Sequence, residues 1–187
     1  LPYQRVLKTQ VVREQLVRLG GFAADDARVA GLEVQAVPGD QEGLRWRTRV
    51  EYAQTREGQR GMRKHRSRAV VPVEDCLIAR DDARIASQMS GTVVTERVQT
   101  DAAMRAFEVD GDGFWQVHPG APKVLVETVA EFAGVREGEH VLDLYSGVGL
   151  FSGFLGSQAG ASGKVTAVEG NRSACEHARD NLADLDD

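Results

Sequence analysis

Asp143, Gly147, Gly149 and Glu169 are the residues whose types and spacing point most clearly to chemistry. They lie in "VLDLYSGVGLF" (141–151) and "KVTAVEG" (164–170), two short apolar runs, each followed by a helix-like segment. A buried strand through Val141, Leu142 and Leu144 runs into Ser146-Gly147-Val148-Gly149, and a helix follows at once. Two glycines at the carboxyl end of a strand allow a tight turn and let a ligand approach the backbone. Glu169, 20 residues beyond Gly149, then falls at the tip of the next strand. A carboxylate there can accept hydrogen bonds from two ribose hydroxyls. A glycine pair alone is also what an ordinary strand turn needs. The strand, the helix and the spaced acid together favour a nucleoside-cofactor site. A dinucleotide site asks for a third glycine in G-x-G-x-x-G, and Ser152 holds that position. A nicotinamide-dependent oxidoreductase on the same topology is thereby disfavoured and stays as an alternative.

These residues need elements to position them. From residue 140 the pattern alternates strand 140–145, helix about 149–158, strand 164–169 and helix about 172–183, the start of a parallel sheet. Pro119 and Pro122 lead into a helix over 122–133, with Val124, Leu125, Val129 and Phe132 as its inner stripe. "AFEVDGDGFWQV" (106–117) reads as a strand, a tight turn and a second short strand. Residues 3–19 read as a helix with Val6, Leu7, Val11, Leu16 and Leu19 near helical spacing, ended by Gly20-Gly21. "LRWRTRVEYAQ" (44–54) and "RGMRKHRSRAVVPV" (60–73), joined by the turn-rich "TREGQ", read as an antiparallel β element. In the first of them, Arg45, Arg47 and Arg49 alternate with Leu44, Trp46, Thr48 and Val50, so the arginines share one face. No period survives over 74–100. The fold class is therefore α/β: the start of a Rossmann-like sheet over 106–187, preceded over 1–105 by a smaller, mainly antiparallel β-containing domain.

The 187 residues carry a formal net charge of -5, which hides an asymmetry. Residues 45–68 hold nine Lys/Arg against two acids, whereas 137–187 hold nine acids against three Lys/Arg. A basic block on an acidic protein is a candidate polyanion contact, with Arg45, Arg47, Arg49, Arg63, Lys64 and Arg66 as the candidate RNA-binding residues. A solvated strand face accounts for the same charges, and a non-catalytic RNA-binding module remains a second alternative. Cys76 and Cys175 do not make a disulfide framework, so a reducing cytoplasm is expected. No apolar run approaches the ~20 residues that span a bilayer, and "LPYQRVLKTQ" lacks the shape of a signal peptide. A monomer with no membrane partner is expected.

The D-x-x-x-G-x-G of Asp143, Gly147 and Gly149 resembles the first motif of class I S-adenosylmethionine methyltransferases. "DLYSGVGLF" together with "GDGFWQVHPGAPKVLVETV" resembles, more narrowly, the RNA uracil-5-methyltransferases, which make 5-methyluridine in ribosomal or transfer RNA. The resemblance implies S-adenosylmethionine as cofactor, with contacts at Gln116, Asp143, Tyr145, Gly147, Gly149 and Glu169. It implies that Phe114 stacks on the target base, or else packs in the core. Leu150 and His118 stand where members commonly carry Asn. Cys76 falls at a place similar to the fourth cysteine of the family's iron–sulfur site, whose other three ligands, with a TRAM segment, would precede Leu1. In the family, a cysteine thiolate adds to C6 of uracil, C5 attacks the sulfonium methyl, and a base removes the C5 proton. Both groups would lie beyond Asp187, so these residues alone are expected to be inactive. Cys175 reads as a packing residue.

Overall fold

The computed structural model describes residues 2–39 and 42–185. Helix α1 (Pro2–Arg18) docks on the segment after the single turn α2 (Ala27–Ala30). The docked face is polar: Thr9 is buried and accepts the Val34 amide at 2.9 Å, and Arg13 donates to the carbonyls of Ala30 and Leu32. The apolar stripe expected inside is largely turned out, since Val6, Leu7, Val11 and Leu19 are exposed. What α1 meets at 30–34 is backbone amide and carbonyl, and only polar side chains can satisfy those groups.

The basic region divides into β1 (Arg47–Val50), β2 (Ala53–Gln54), β3 (Arg60–Arg63) and β4 (Val70–Pro72), followed by β5 (Ala79–Ile85). Only β2, β3 and β4 form the expected antiparallel sheet. β1 leaves it and pairs in parallel with β5, from Arg47↔Ala79 to Val50↔Ile85, with a register shift between Arg47 and Arg49. The expectation of one strand over 44–54 is corrected by the backbone. Arg45 adopts φ 49, and the Thr48 amide bonds the Val117 carbonyl, so the alternation is broken before the strand begins.

β6 (Val93–Gln99) and β7 (Met104–Asp110) make a hairpin in unbroken register from Val93↔Asp110 to Gln99↔Met104. The stretch without a period thus holds two strands, β5 and β6. Their patterns are masked by charge: Glu96 on β6 points inward because Arg84 of β5 pairs with it. The boundary expected between residues 105 and 106 falls inside β7. The second strand expected after the "DGDG" turn does not form, and residues 111–120 are turns and irregular backbone.

The remainder follows the expected order: α3 (Ala121–Ala133), β8 (His140–Leu144), α4 (Leu150–Ala159), β9 (Lys164–Val168) and α5 (Arg172–Asn181). β8 and β9 run in parallel and in full register from His140↔Lys164 to Leu144↔Val168. The stripe of α3 is centred on buried Pro122 and Val126, and Phe132 is exposed. The core joins β6 and β7 to the helices: Val98, Phe107, Val109, Trp115, Val126, Val148, Leu150 and Phe154 are buried together. Phe107 is wholly enclosed between the rings of Trp115 (5.8 Å) and Phe154 (6.2 Å). Burying one such side chain is worth about 1.5–3 kcal/mol. No described helix is long and apolar enough to cross a membrane.

Candidate cofactor cleft and basic hairpin

β8 ends at Leu144, and the chain turns sharply through Tyr145, Gly147 and Gly149, with φ of 66, 56 and 91. The amides of Tyr145 and Ser146 both bond the Val168 carbonyl, tying the turn to the end of β9. Tyr145 is the informative member, because a bulky non-glycine residue with positive φ costs of order 1–3 kcal/mol and such strain gathers at functional sites. At Gly149 a side chain would also press on Leu182, whereas the space around Gly147 is open. Gly147 is therefore the point where a ligand can lie against the backbone.

The turn forms one wall of a cleft of about 270 Å³. The facing wall comes from Asp110 at the end of β7 and from Phe114, Trp115 and Gln116 after the "DGDG" turn. The Phe-Trp pair is divided between two tasks. Trp115 is buried in the core, and Phe114 is 76% exposed on the cleft, so the core alternative for Phe114 is set aside. Tyr145, 92% exposed, also borders the cleft. Two uncovered aromatic rings at one opening form a platform on which a planar group can stack.

Glu169 closes the third side. One carboxylate oxygen accepts the Gly147 amide at 2.9 Å and the other accepts the Asn171 amide at 2.7 Å. Those donors, Asn171 first and Gly147 second, hold its carboxyl below the usual range despite the opposing effect of partial burial. Each carboxylate oxygen keeps a second lone pair, so Glu169 can still accept from two hydroxyls while fixed to the turn.

Asp143 has a different position from the one the motif implies. It is 8% exposed, does not border the cleft, and accepts both the Ser152 amide (3.0 Å) and the Ser152 hydroxyl (2.6 Å). Its carboxylate satisfies a free amide in the first turn of α4 and complements the positive end of that helix. The implied direct contact with a cofactor is corrected to a supporting one: Asp143 fixes the helix that follows the glycine turn. Ser152, at the position where a dinucleotide site has its third glycine, is committed to this bond.

Sequence reasoning missed a set of residues on α5. Ser173, His177 and Asn181 recur every fourth position and so share one helix face. The Ser173 hydroxyl lies 2.5 Å and His177 Nε2 lies 2.9 Å from the two oxygens of Asp110. Ser173 first, and His177 second, keep the Asp110 carboxyl below its usual range. Asn181 bonds both the amide and the carbonyl of Glu108 and also reaches the Val148 carbonyl, covering the free edge of β7. These bonds fasten α5, and with it the Glu169–Asn171 loop, to β7, so the two walls of the cleft are joined. The polar i, i+4, i+8 spacing was the available signal.

The cations separate into two groups. Arg45 lies in an ion pair with Asp75 at 2.6 Å and donates to the carbonyls of Cys76 and Ala79. Arg47 donates to the Arg49 carbonyl at 2.8 Å, and Arg49 is half-buried. The shared arginine face expected over 45–49 is corrected accordingly: the Arg45 and Arg47 guanidiniums are taken up by bonds at β1 and β5, and Arg49 is half-buried beside them. Arg63, Lys64, Arg66 and Arg68, by contrast, are exposed at the tip of the β3–β4 hairpin with no acidic partner among the described residues. Cys76 is half-buried and bears a free thiol. Among the described residues no group of three or more metal-ligating side chains exists, and an iron–sulfur cluster takes four thiolates, so Cys76 would be one ligand beside three others.

No family model matches the chain. It is 33% identical to an uncharacterized RNA methyltransferase of Streptomyces coelicolor over 98% of the chain and 52% of that protein. It is 34% identical to one of Streptomyces avermitilis over 96% of the chain and 55% of that protein. A 23S rRNA (uracil(1939)-C(5))-methyltransferase of Acinetobacter baumannii is 35% identical over 42% of the chain and 18% of its own length. The chain thus spans about half the length of these two Streptomyces relatives. In fold it is similar to Pyrococcus abyssi tRNA (uracil-54, C5)-methyltransferase in complex with S-adenosyl-L-homocysteine. The TM-score is 0.58, the identity 19%, and the match covers 84% of this chain and 56% of that one. The α/β architecture is Rossmann-like, as in that structure.

Proposed function

We propose that the chain belongs to the RNA uracil-C5-methyltransferases and that its protein transfers a methyl group from S-adenosylmethionine to C5 of a uridine in ribosomal or transfer RNA. The observation that carries this reading is the Glu169 carboxylate fixed to the Gly147 amide across an open, aromatic-rimmed cleft. That arrangement suits a ribose on the acid and an amino-acid moiety against the glycine turn. Bound there, S-adenosylmethionine supplies a sulfonium methyl group open to attack by carbon. The residues of the chain bind and orient. Glu169 accepts from the ribose hydroxyls, Gly147 leaves its face clear, and Gln116 offers an amide from the facing wall. Phe114 and Tyr145 give the uracil ring a surface to lie on, and base–aromatic stacking is worth about 1–3 kcal/mol per base. Neither cysteine borders the cleft, and the Cys175 thiol donates to the Glu169 carbonyl at 3.4 Å.

RNA phosphates fit the hairpin tip, where Arg63, Lys64 and Arg66 are free of acids. Arg47 and Arg49, beside β5, are weaker candidates, and Arg45, paired with Asp75, is the weakest. The same reading places the protein in the cytoplasm as a monomer. The test is methyl transfer by the intact protein from deuterium-labelled S-adenosylmethionine to uridine-containing RNA, read by mass spectrometry of the released nucleosides. Label in 5-methyluridine is expected. Label on another base or on ribose would sink the proposal.

A further inference from the structure

A second concavity, of about 290 Å³, lies between α1 and the segment that follows the cofactor cleft in the chain. Arg5 and Lys8, three residues apart on one face of α1, border it, and no acidic residue is among its lining. Neither cation has a hydrogen bond or ion pair with any described residue. The opposite wall is aromatic: Trp46 and His118 stack with centroids 5.6 Å apart and planes inclined by 24°. Both rings are held from outside the stack. The Trp46 indole donates to the Gly43 carbonyl at 3.1 Å, and His118 Nδ1 accepts the Gly120 amide at 3.1 Å. The absence of a side chain at Gly120 lets the Val37–Pro38 backbone lie against this turn, so the concavity has a firm floor.

Unpaired cations facing a preset aromatic wall match one ligand chemistry, a nucleotide whose phosphate meets the cations and whose base lies along the rings. His118 also lies four residues beyond Phe114, at most about 14 Å of chain. The two openings are thus linked by one short segment, whose middle is pinned where the Val117 carbonyl accepts the Thr48 amide and hydroxyl. We propose that the Arg5–Lys8–Trp46–His118 concavity is an RNA subsite that takes a nucleotide flanking the modified uridine. The proposal rests on the methyltransferase reading for its substrate, and it adds a contact that the basic hairpin does not supply.

The test uses a labelled single-stranded oligouridylate and the intact protein, titrated by fluorescence anisotropy over a range of salt. Loss of the one phosphate contact that the two cations share should lower the log–log salt slope of Arg5→Gln/Lys8→Gln by about 0.7. Affinity for S-adenosylhomocysteine should stay unchanged in that variant. Ultraviolet cross-linking should attach the oligonucleotide to Trp46 or His118. An unchanged salt slope, with cross-links confined to other segments while the parent protein still binds RNA, overturns the subsite and leaves the methyltransferase reading in place. Failure of the parent protein itself to bind any RNA overturns both.

Discussion

The Asp143–Ser152 pair offers the sharpest perturbation. The Asp143 carboxylate is almost fully buried and takes two hydrogen bonds from one residue, which is itself wholly enclosed. A hydrogen bond to a charged group contributes about 1.5–3 kcal/mol. Ser152→Ala removes only the hydroxyl bond and should cost that amount. Asp143→Ala removes both bonds, leaves the Ser152 amide and hydroxyl unpaired, and should cost about 3–5 kcal/mol. In the double variant the hydroxyl bond is already gone, so the two losses should fall short of their sum by about 1–3 kcal/mol. For a chain of 187 residues, each kcal/mol moves Tm by roughly 2–4 °C. Ser152→Ala should then melt roughly 3–12 °C lower, a shift that differential scanning calorimetry resolves. Affinity for S-adenosylhomocysteine, measured well below the melting range, should change little in Ser152→Ala. Additive losses in the double variant, or a cofactor affinity that collapses in Asp143→Ala without loss of stability, would refute the supporting role.

Three further outcomes follow from the same geometry. Glu169 has a depressed carboxyl, so its contribution is complete above the ordinary value of 4.5 and is lost only as pH falls through the lower folded value. S-adenosylhomocysteine affinity by calorimetry should therefore stay level from neutral pH down to that value, and an earlier decline would show that the amides do not hold Glu169 ionised. Replacing Arg63, Lys64 and Arg66 by Gln should flatten the salt dependence of RNA binding by about 2 on log axes, which anisotropy titrations would read. Gly147→Ala places a side chain at φ 56 with no neighbour within 4 Å. Its cost should be the backbone strain alone, about 1–2 kcal/mol by chemical denaturation.

Much of the second half of the chain is legible because local and global preferences agree there. The apolar runs at 141–144 and 165–168 can only be strands of a parallel pair, and the glycines between Ser146 and Leu150 can only be a turn. The basic region was less legible. Arg45, Arg47 and Arg49 alternate as a strand's outer face would, but Asp75, distant in sequence, draws Arg45 out of that row. β5 and β6 were hidden because Arg84 and Glu96 satisfy each other between the two sheets, so polar letters occupy inward positions. The apolar letters of α1 misled for the converse reason: a helix docked on backbone carbonyls turns its valines outward. Within the cleft, Gln116, Tyr145, Gly147 and Glu169 were readable from the motif. Asp110, Ser173, His177 and Asn181 were not, because their meaning depends on β7 lying beside α5, a contact between segments more than sixty residues apart.

Calorimetric titration of S-adenosylhomocysteine into the protein and into its Glu169→Ala variant tests the cofactor cleft most directly. One molecule should bind per chain, and the variant should bind about 10- to 150-fold more weakly, the equivalent of about 1.5–3 kcal/mol. Equal affinity in the two proteins, or saturable binding of a nicotinamide dinucleotide with none of S-adenosylhomocysteine, would contradict the account.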